Sequence, residues 1–530
     1  MMTAIGAPSE TVVQRDERGP SRPAQRAPRE MDRVRPSLLR EAFYFMALQE
    51  STTVIKDRAG RDARAAQHPE VALVIIWSRA EPERIGELLI PIGPIGPAGD
   101  AFGFGRACAP GTRPLELVRQ RPGETSATGP TRAGGISRHQ WRVRRAHRAL
   151  DLENTGRCGL RVNGSAVNQA TVRAGDLVEI VDEMSLLAVS RSPRMLGPGL
   201  PAALVPPFGG ADAFGVVGES AAAWDLRRQL AFAGGRADHV LLTGPSGTGK
   251  ELAARAIHGL SRRAGEKLIA RNAATFPEGL VDAELFGNLR DYPNPGMPER
   301  AGLIGAADGS VLFLDEIGEL PHALQAHLLR VLEDGEYQRL GDSRARRADL
   351  RVIAATNRGV DDIKHDVVAR LRLRVALPGL DQRREDIPLV ARHLLRRMAA
   401  GDALVADRCF GGDPRGEPRW TARFVAGLVQ AHYATHVREL EAWLWQAIRD
   451  NPEGELDEIP VACRDSAVAG PDVDGDAGDD HEPGVDPRTI DPERLRAVLD
   501  EYGGSRERAW RALGLRSRHQ LLRLMRRHGA

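Results

Sequence analysis

The segment Val240-Leu-Leu-Thr-Gly-Pro-Ser-Gly-Thr-Gly-Lys250-Glu251 joins four β-prone residues to a glycine-rich turn and then to a helical run. Glycines in such a turn let backbone N–H groups point inward around phosphate oxygens. The helix start adds partial positive charge, and a lysine at its first turn reaches the terminal phosphates. Gly244, Pro245, Ser246, Gly247, Thr248, Gly249, Lys250 and Glu251 are therefore the residues assigned to the candidate triphosphate cradle. Glu251 stands where the general pattern carries Ser or Thr. Only four of the 74 basic residues are lysine (Lys56, Lys250, Lys267 and Lys364), so a lysine kept at this position suggests a positional demand.

Two more buried-strand patterns follow. Ser310–Leu314 runs into Asp315-Glu316, and Leu350–Ala355 runs into Thr356-Asn357. Strands alternating with helices from about 214 to 388 predict a parallel α/β sheet with its chemistry at the carboxyl ends of the strands. Asp315 is placed to organise Mg²⁺, and Glu316 to polarise a water for attack on a γ-phosphate. Leu389–Met398, Trp420–Gln430 and Val437–Ile448 read as helices of a lid spanning 389–464.

The ordered motifs resemble the AAA+ domain of bacterial enhancer-binding proteins, the ATPases that activate sigma-54 RNA polymerase. In that family the loop ends Gly-Thr-Gly-Lys-Glu, which accounts for Glu251. Arg271-Asn272-Ala-Ala-Thr-Phe-Pro-Glu278, Glu284-Leu-Phe-Gly287, Leu312–Glu316, Arg351-Val-Ile-Ala-Ala-Thr-Asn357, Arg384-Glu-Asp-Ile-Pro388 and Val437-Arg-Glu-Leu440 also look like family motifs. The resemblance covers about 214–450 and implies ATP as ligand, a homo-oligomer, and roles for further residues. Asn272 would hold Glu316 until the ring is ready, and Asn357 would be the sensor-I residue. Arg370 would be an arginine finger reaching the neighbouring subunit's ATP, and Arg438 the sensor-II arginine.

The chain also departs from that pattern. The family's sigma-54 contact loop, Gly-Ala-Phe-Thr-Gly-Ala, is replaced by Asp291-Tyr-Pro-Asn-Pro-Gly296. Lys364 replaces an arginine upstream of Arg370, and Tyr433-Ala-Thr-His436 replaces Trp-Pro-Gly-Asn before the lid motif. Two functions therefore stand side by side. One is an ATP-dependent regulator of the sigma-54-interacting type. The other is a DNA-binding regulator or scaffold that no longer contacts sigma-54.

Short β-like runs from about 69 to 192, separated by Gly, Pro, Asn and Asp, predict a β-sandwich. Gly105-Arg106, Ile136-Ser-Arg-His-Gln140, Val162-Asn-Gly164 and Ala174-Gly-Asp176 resemble a forkhead-associated (FHA) domain. That resemblance implies phosphothreonine binding, with Arg106 and Ser137 as phosphate ligands and a phosphoprotein or its kinase as partner. Gln140 replaces the family's histidine, and Asn154-Thr-Gly-Arg-Cys-Gly159 replaces its Ser-x-Asn-Gly-Thr loop; a purely structural sandwich is the alternative.

The last 43 residues carry 11 arginines against five acids. Asp491–Tyr502, Arg506–Leu513 and Arg516–Arg527 are helical patterns with Gly514 at a turn, which predicts a helix-turn-helix. The segment resembles the Fis-type domain that ends enhancer-binding proteins. Ser517, Arg518, His519, Gln520 and Arg523 would face DNA bases or phosphates.

The predicted order is thus an arm (1–68) read as disordered, FHA-like sandwich (69–192), linker (193–213), AAA+ α/β subdomain (214–388), helical lid (389–464), acidic tether (465–487) and helix-turn-helix (488–530). Net charge is +2, so nucleic-acid contact requires a local patch. The most apolar run, Val71–Trp77, is far shorter than the ~20 residues that cross a bilayer. Four widely spaced cysteines, without a CxxC or an apolar N-terminal signal core, point to a reducing cytoplasm and to neither disulfides nor a zinc site.

Overall fold

The computed structural model describes residues 69–91, 101–107, 111–195, 197, 199–277, 279–452, 455–461, 463, 491–501, 512–513 and 525. In the α/β part, five strands lie parallel in the order Ile269–Asn272, Val311–Asp315, Arg351–Thr356, Val240–Thr243 and Leu373–Ala376. The three central strands are apolar on both faces because helices cover both, as a parallel sheet requires. Their shared direction brings the Gly244 turn, Asp315-Glu316 and Asn357 to one edge of the sheet. The lid holds helices Ile387–Gly401, Ala403–Phe410, Ala422–Gln430 and Val437–Asp450. Ala403–Phe410 is an addition to the sequence reading; its cap is Asp402, which accepts from Leu404 N–H at 2.9 Å.

Ahead of it stands a two-sheet β-sandwich of eight and five strands. Glu70–Ser78 and Met184–Arg191 pair antiparallel at its centre, and nearly every residue of both is buried. An antiparallel strand normally alternates buried and exposed residues because one face meets water. These two do not, since their outer face is covered by the lid. Helix Ala422–Gln430 packs on both strands. One continuous apolar cluster runs from Val71, Leu73 and Trp77 through Leu389 and Leu394 to Trp420, Phe424 and Val425. Within it the Trp77 indole N–H donates to the Trp420 carbonyl at 3.1 Å.

Residues 193–213 read as a linker in the sequence. Among the described ones, the chain is instead packed along its length, first on the core of the α/β sheet at Leu204 and then between sandwich and lid at Phe208 and Gly209. Leu204 is buried, and Gly209 N–H donates to Glu219 at 2.9 Å. Glu219 also pairs with Arg121 of the sandwich at 2.6 Å. Arg392 on the lid then ties three segments with one guanidinium, donating to Pro82 O (3.4 Å), Gly209 O (3.3 Å) and Glu417 (3.1 Å). Buried backbone polar groups need partners, and Glu219 and Arg392 supply them for Gly209.

Helix Pro492–Glu501 with buried Leu495, and buried Leu513, agree with the C-terminal helical pattern. Ser517, Arg518, His519, Gln520 and Arg523 lie outside the described residues, as does the arm 1–68. Among the described residues no helix is long and apolar enough to cross a membrane.

Candidate nucleotide site

Gly244, Gly247 and Gly249 adopt φ of +153°, +79° and +95°. These values belong to glycine, and they turn the loop's amides toward its interior. Lys250 opens helix Lys250–Gly259 and is nearly buried; its ammonium donates to Gly244 O at 2.9 Å and Pro245 O at 3.1 Å. Burial lowers the Lys250 pKa, while Asp315 and Glu316 work against that. The same burial raises the Asp315 pKa, against Lys250 and the Glu316 N–H that Asp315 accepts at 3.0 Å. Each group is a principal electrostatic partner of the other, so loop and strand end form one site.

Glu316 sits in the left-handed region (φ 54°), a sparsely populated state for a glutamate. Its carboxylate accepts from the Asn357 amide at 3.2 Å. The expected contact from Asn272 is not made. Asn272 Oδ1 accepts from Ala274 N–H at 2.8 Å instead, capping the short helix Ala273–Thr275. Asn272 is nonetheless level with Asp315 in the sheet register, on the adjacent strand. Glu251 also differs from its assignment to the cradle: its carboxylate is exposed and pairs with Arg255 one helical turn on, at 2.7 Å.

The lid closes over the loop through polar contacts. Arg438 donates to Ser246 Oγ at 2.8 Å, and Val437 N–H to Gly247 O at 3.2 Å. A Cβ on Gly247 would stand 2.0 Å from the Thr435 carbonyl, so the lid can come this close only to glycine. The altered turn before it remains packed: the buried Tyr433 hydroxyl donates to Leu428 O at 2.7 Å, and His436 Nδ1 accepts from Leu380 N–H at 3.3 Å.

Arg370 ends helix His365–Arg370 at the opposite edge of the sheet, near where Val240 and Leu373 begin their strands. Within one protomer it is therefore remote from Lys250. Lys364 begins the same helix, its N–H donating to Gln325 at 2.8 Å. In the sandwich, Arg106 and Ser137 are brought together. Arg106 donates from its backbone to Ser137 O (3.2 Å) and from Nε to Ile136 O (2.6 Å). Ser137 Oγ accepts from Arg157 N–H at 2.9 Å. Gln140, where the FHA pattern has histidine, is buried and bridges Asn154 and the Cys158 carbonyl, each at 2.9 Å.

Sequence reasoning did not see the roles of Asp386 and Glu333. Asp386 accepts from Glu219 N–H (2.8 Å) and Ser220 N–H (2.9 Å), pinning the start of helix Ala221–Gly234 to the lid. Its signal was the motif Arg384–Pro388 itself. Glu333 has no local signal; it is an exposed acid on a helix.

Comparison with known proteins places the α/β part. The family profile described as "Sigma-54 interaction domain" matches residues 216–377. "Transcriptional regulatory protein ZraR" of Salmonella typhimurium is 33% identical over 327 residues, covering 60% of this chain and 70% of that protein. The "Formate hydrogenlyase transcriptional activator" of the same species is 34% identical over 278 residues, covering 50% of this chain and 39% of the relative. Among solved structures, NtrX from Brucella abortus in complex with ATP aligns at 26% identity and a TM-score of 0.41, covering 59% of this chain and 69% of that one.

Proposed function

The chain belongs to the family of sigma-54-interacting AAA+ transcription regulators, and from that premise we propose that it binds and hydrolyses ATP in a homo-oligomeric ring, in the cytoplasm, while its C-terminus holds DNA. The observation that carries this reading is the convergence of Lys250, Asp315, Glu316, Asn357 and Arg438 around one glycine loop. Loop amides and Lys250 would hold the β- and γ-phosphates, Lys250 exchanging its carbonyl partners for phosphate oxygens. A carboxylate beside substrate phosphates suits a hard, mostly water-ligated cation, so Asp315 would hold Mg²⁺, which supplies charge neutralisation on those phosphates.

Glu316, oriented by Asn357, takes a proton from water as the water oxygen bonds to the γ-phosphorus. The bond to the β-phosphate oxygen breaks and ADP departs. Arg370 would complete the neighbour's site, because it lies too far from its own loop to serve it. Asn272 is the second polar residue that could meet Glu316, from the adjacent strand. Lys250→Ala in the full chain is expected to abolish binding of labelled ATP; unchanged binding would refute the site.

The sandwich is proposed to read a phosphothreonine. In support, Arg106 keeps both Nη groups clear of its Nε contact, and Ser137 Oγ, itself accepting from Arg157, retains a proton to donate. Residues 488–530 are proposed to hold DNA through Ser517, Arg518, His519, Gln520 and Arg523.

One observation favours the second reading, a regulator that has left sigma-54. The replaced loop is a short pinned turn, Asp291 N–H donating to Met297 O (2.9 Å) and Gly296 N–H to Asp291 Oδ1 (2.7 Å). Tyr292 of this turn lies against Gly341. Capture of sigma-54 in the presence of a transition-state nucleotide analogue, beside a relative with the usual loop, separates the two readings.

A further inference from the structure

At the edge of the sheet where the strands begin, opposite the glycine loop, lies a cavity of about 610 Å³ lined in part by Asp238, His239, Glu333, Arg370 and Arg372. Helix His322–Asp334 brings Glu333 there in its last turn, and helix His365–Arg370 brings Arg370 as its last residue. Arg370 donates from Nε (2.8 Å) and Nη2 (2.5 Å) to the same Glu333 oxygen. Arg372 has its own acid, Asp238 at 3.5 Å, so Glu333 is not shared. The remaining N–H groups of Arg370, those of Nη1 and the outer one of Nη2, make no other hydrogen bond among the described residues.

The pair is half exposed, and exposed ion pairs add little to stability. Its consequence is orientation. A guanidinium is a planar fork with two usable edges, and binding one edge fixes where the other points. An arginine that serves a neighbour's phosphate from a helix end would otherwise sample many rotamers, and misplacement at a reacting centre is costly in rate.

We propose that Glu333 is a positioning residue for Arg370: it grips the Nε–Nη2 edge and presents the Nη1–Nη2 edge across the subunit boundary to the γ-phosphate of the neighbour's ATP. The inference rests on the reading of Arg370 as the residue that acts in trans.

The test is steady-state ATP turnover by the full-length oligomer, with oligomer size checked by sedimentation. Arg370→Ala is expected to lower kcat at least a hundredfold. Glu333→Ala is expected to lower kcat about tenfold with KM for ATP and oligomer size unchanged. Glu333→Gln, whose amide oxygen accepts the same two N–H groups, should recover most of that loss. Subunit mixing locates the defect. Glu333→Ala mixed with Lys250→Ala should regain turnover, because some boundaries then join an intact loop to an intact arginine face. Glu333→Ala mixed with Arg370→Ala should not, since both changes damage the same face. If Arg370→Ala is inactive but Glu333→Ala turns over like the unaltered protein, or complements Arg370→Ala, the role of Glu333 is overturned while that of Arg370 stands. If Arg370→Ala is itself fully active, the trans reading fails and takes the inference with it.

Discussion

The lid has two faces, and they are built by opposite rules. Toward the glycine loop it offers single polar contacts, Arg438 to Ser246 and Val437 N–H to the Gly247 carbonyl, around half-buried charges. Toward the sandwich it offers Trp420, Phe424 and Val425 to strands that are buried on both faces, with Arg392 sealing the rim. Polar contacts near water exchange with solvent at little cost, whereas opening an apolar core exposes area at about 25 cal/mol per Å². The first joint is cheap to open and the second is costly. Sandwich and lid therefore share one core, and Arg438 rides on that combined piece.

The sharpest way to break this contrast is at Trp77. Trp77→Ala removes a buried indole and leaves the Trp420 carbonyl unpaired, and it should cost about 3–5 kcal/mol in urea unfolding. If sandwich and lid share a core, the probes of both should shift together; a shift confined to the sandwich would refute the shared core. Trp77→Phe, which keeps most of the packing and loses the N–H, should cost about 1 kcal/mol.

The opening joint is tested at Gly247. Gly247→Ala puts a methyl against the Thr435 carbonyl in a conformation that alanine avoids. Nucleotide affinity is expected to fall at least tenfold while the sandwich–lid transition keeps its midpoint. Equal affinity would mean that the lid does not hold Thr435 against Gly247 when nucleotide binds. Arg438→Ala should change stability by less than about 1 kcal/mol, since the contact is exposed, yet slow ATP turnover about tenfold.

The smallest expected effect is electrostatic. Burial raises the folded-state pKa of Asp315, so the folded state binds its proton more tightly than the unfolded chain does. Stability of the nucleotide-free protein is thus lost as pH rises through the interval just above the ordinary carboxyl value of about 4. Asp315→Asn should be slightly more stable than the unaltered protein at pH 7, with the gain vanishing as pH falls toward 4. A gain that persists at pH 4 would place its origin elsewhere.

The opening joint was legible in the sequence and the closed one was not. A glycine loop, an Asp-Glu pair at a strand end and an amide at the next strand end are local patterns, and their meeting follows from parallel strands pointing one way. Val240–Thr243 stands as read, and Asp315 ends its strand as expected. Trp77 and Trp420 are 343 residues apart, and no period in either segment announces the other. Val71–Trp77 did carry a trace of it: an unbroken apolar run suggests a strand covered on both faces, but it does not say by what. Residues 193–213, read only as a linker, concealed their packing for the converse reason. Proline and glycine mark an irregular backbone, which can be packed as well as loose. Asn272 was placed by motif beside Glu316, but its amide is engaged by the turn that follows it.

The packing of Trp420 and Phe424 against Val71 and Trp77 also limits how such a protein can be recombined. A sensor on a string can be cut off and fused to another motor as a cassette. Here a chimera joined at residue 192 would strand two apolar surfaces, one on each parent. To fold, the transplant would have to carry helix Ala422–Gln430 along with the sandwich, so the unit of inheritance straddles the nucleotide-binding sheet that lies between them in the chain.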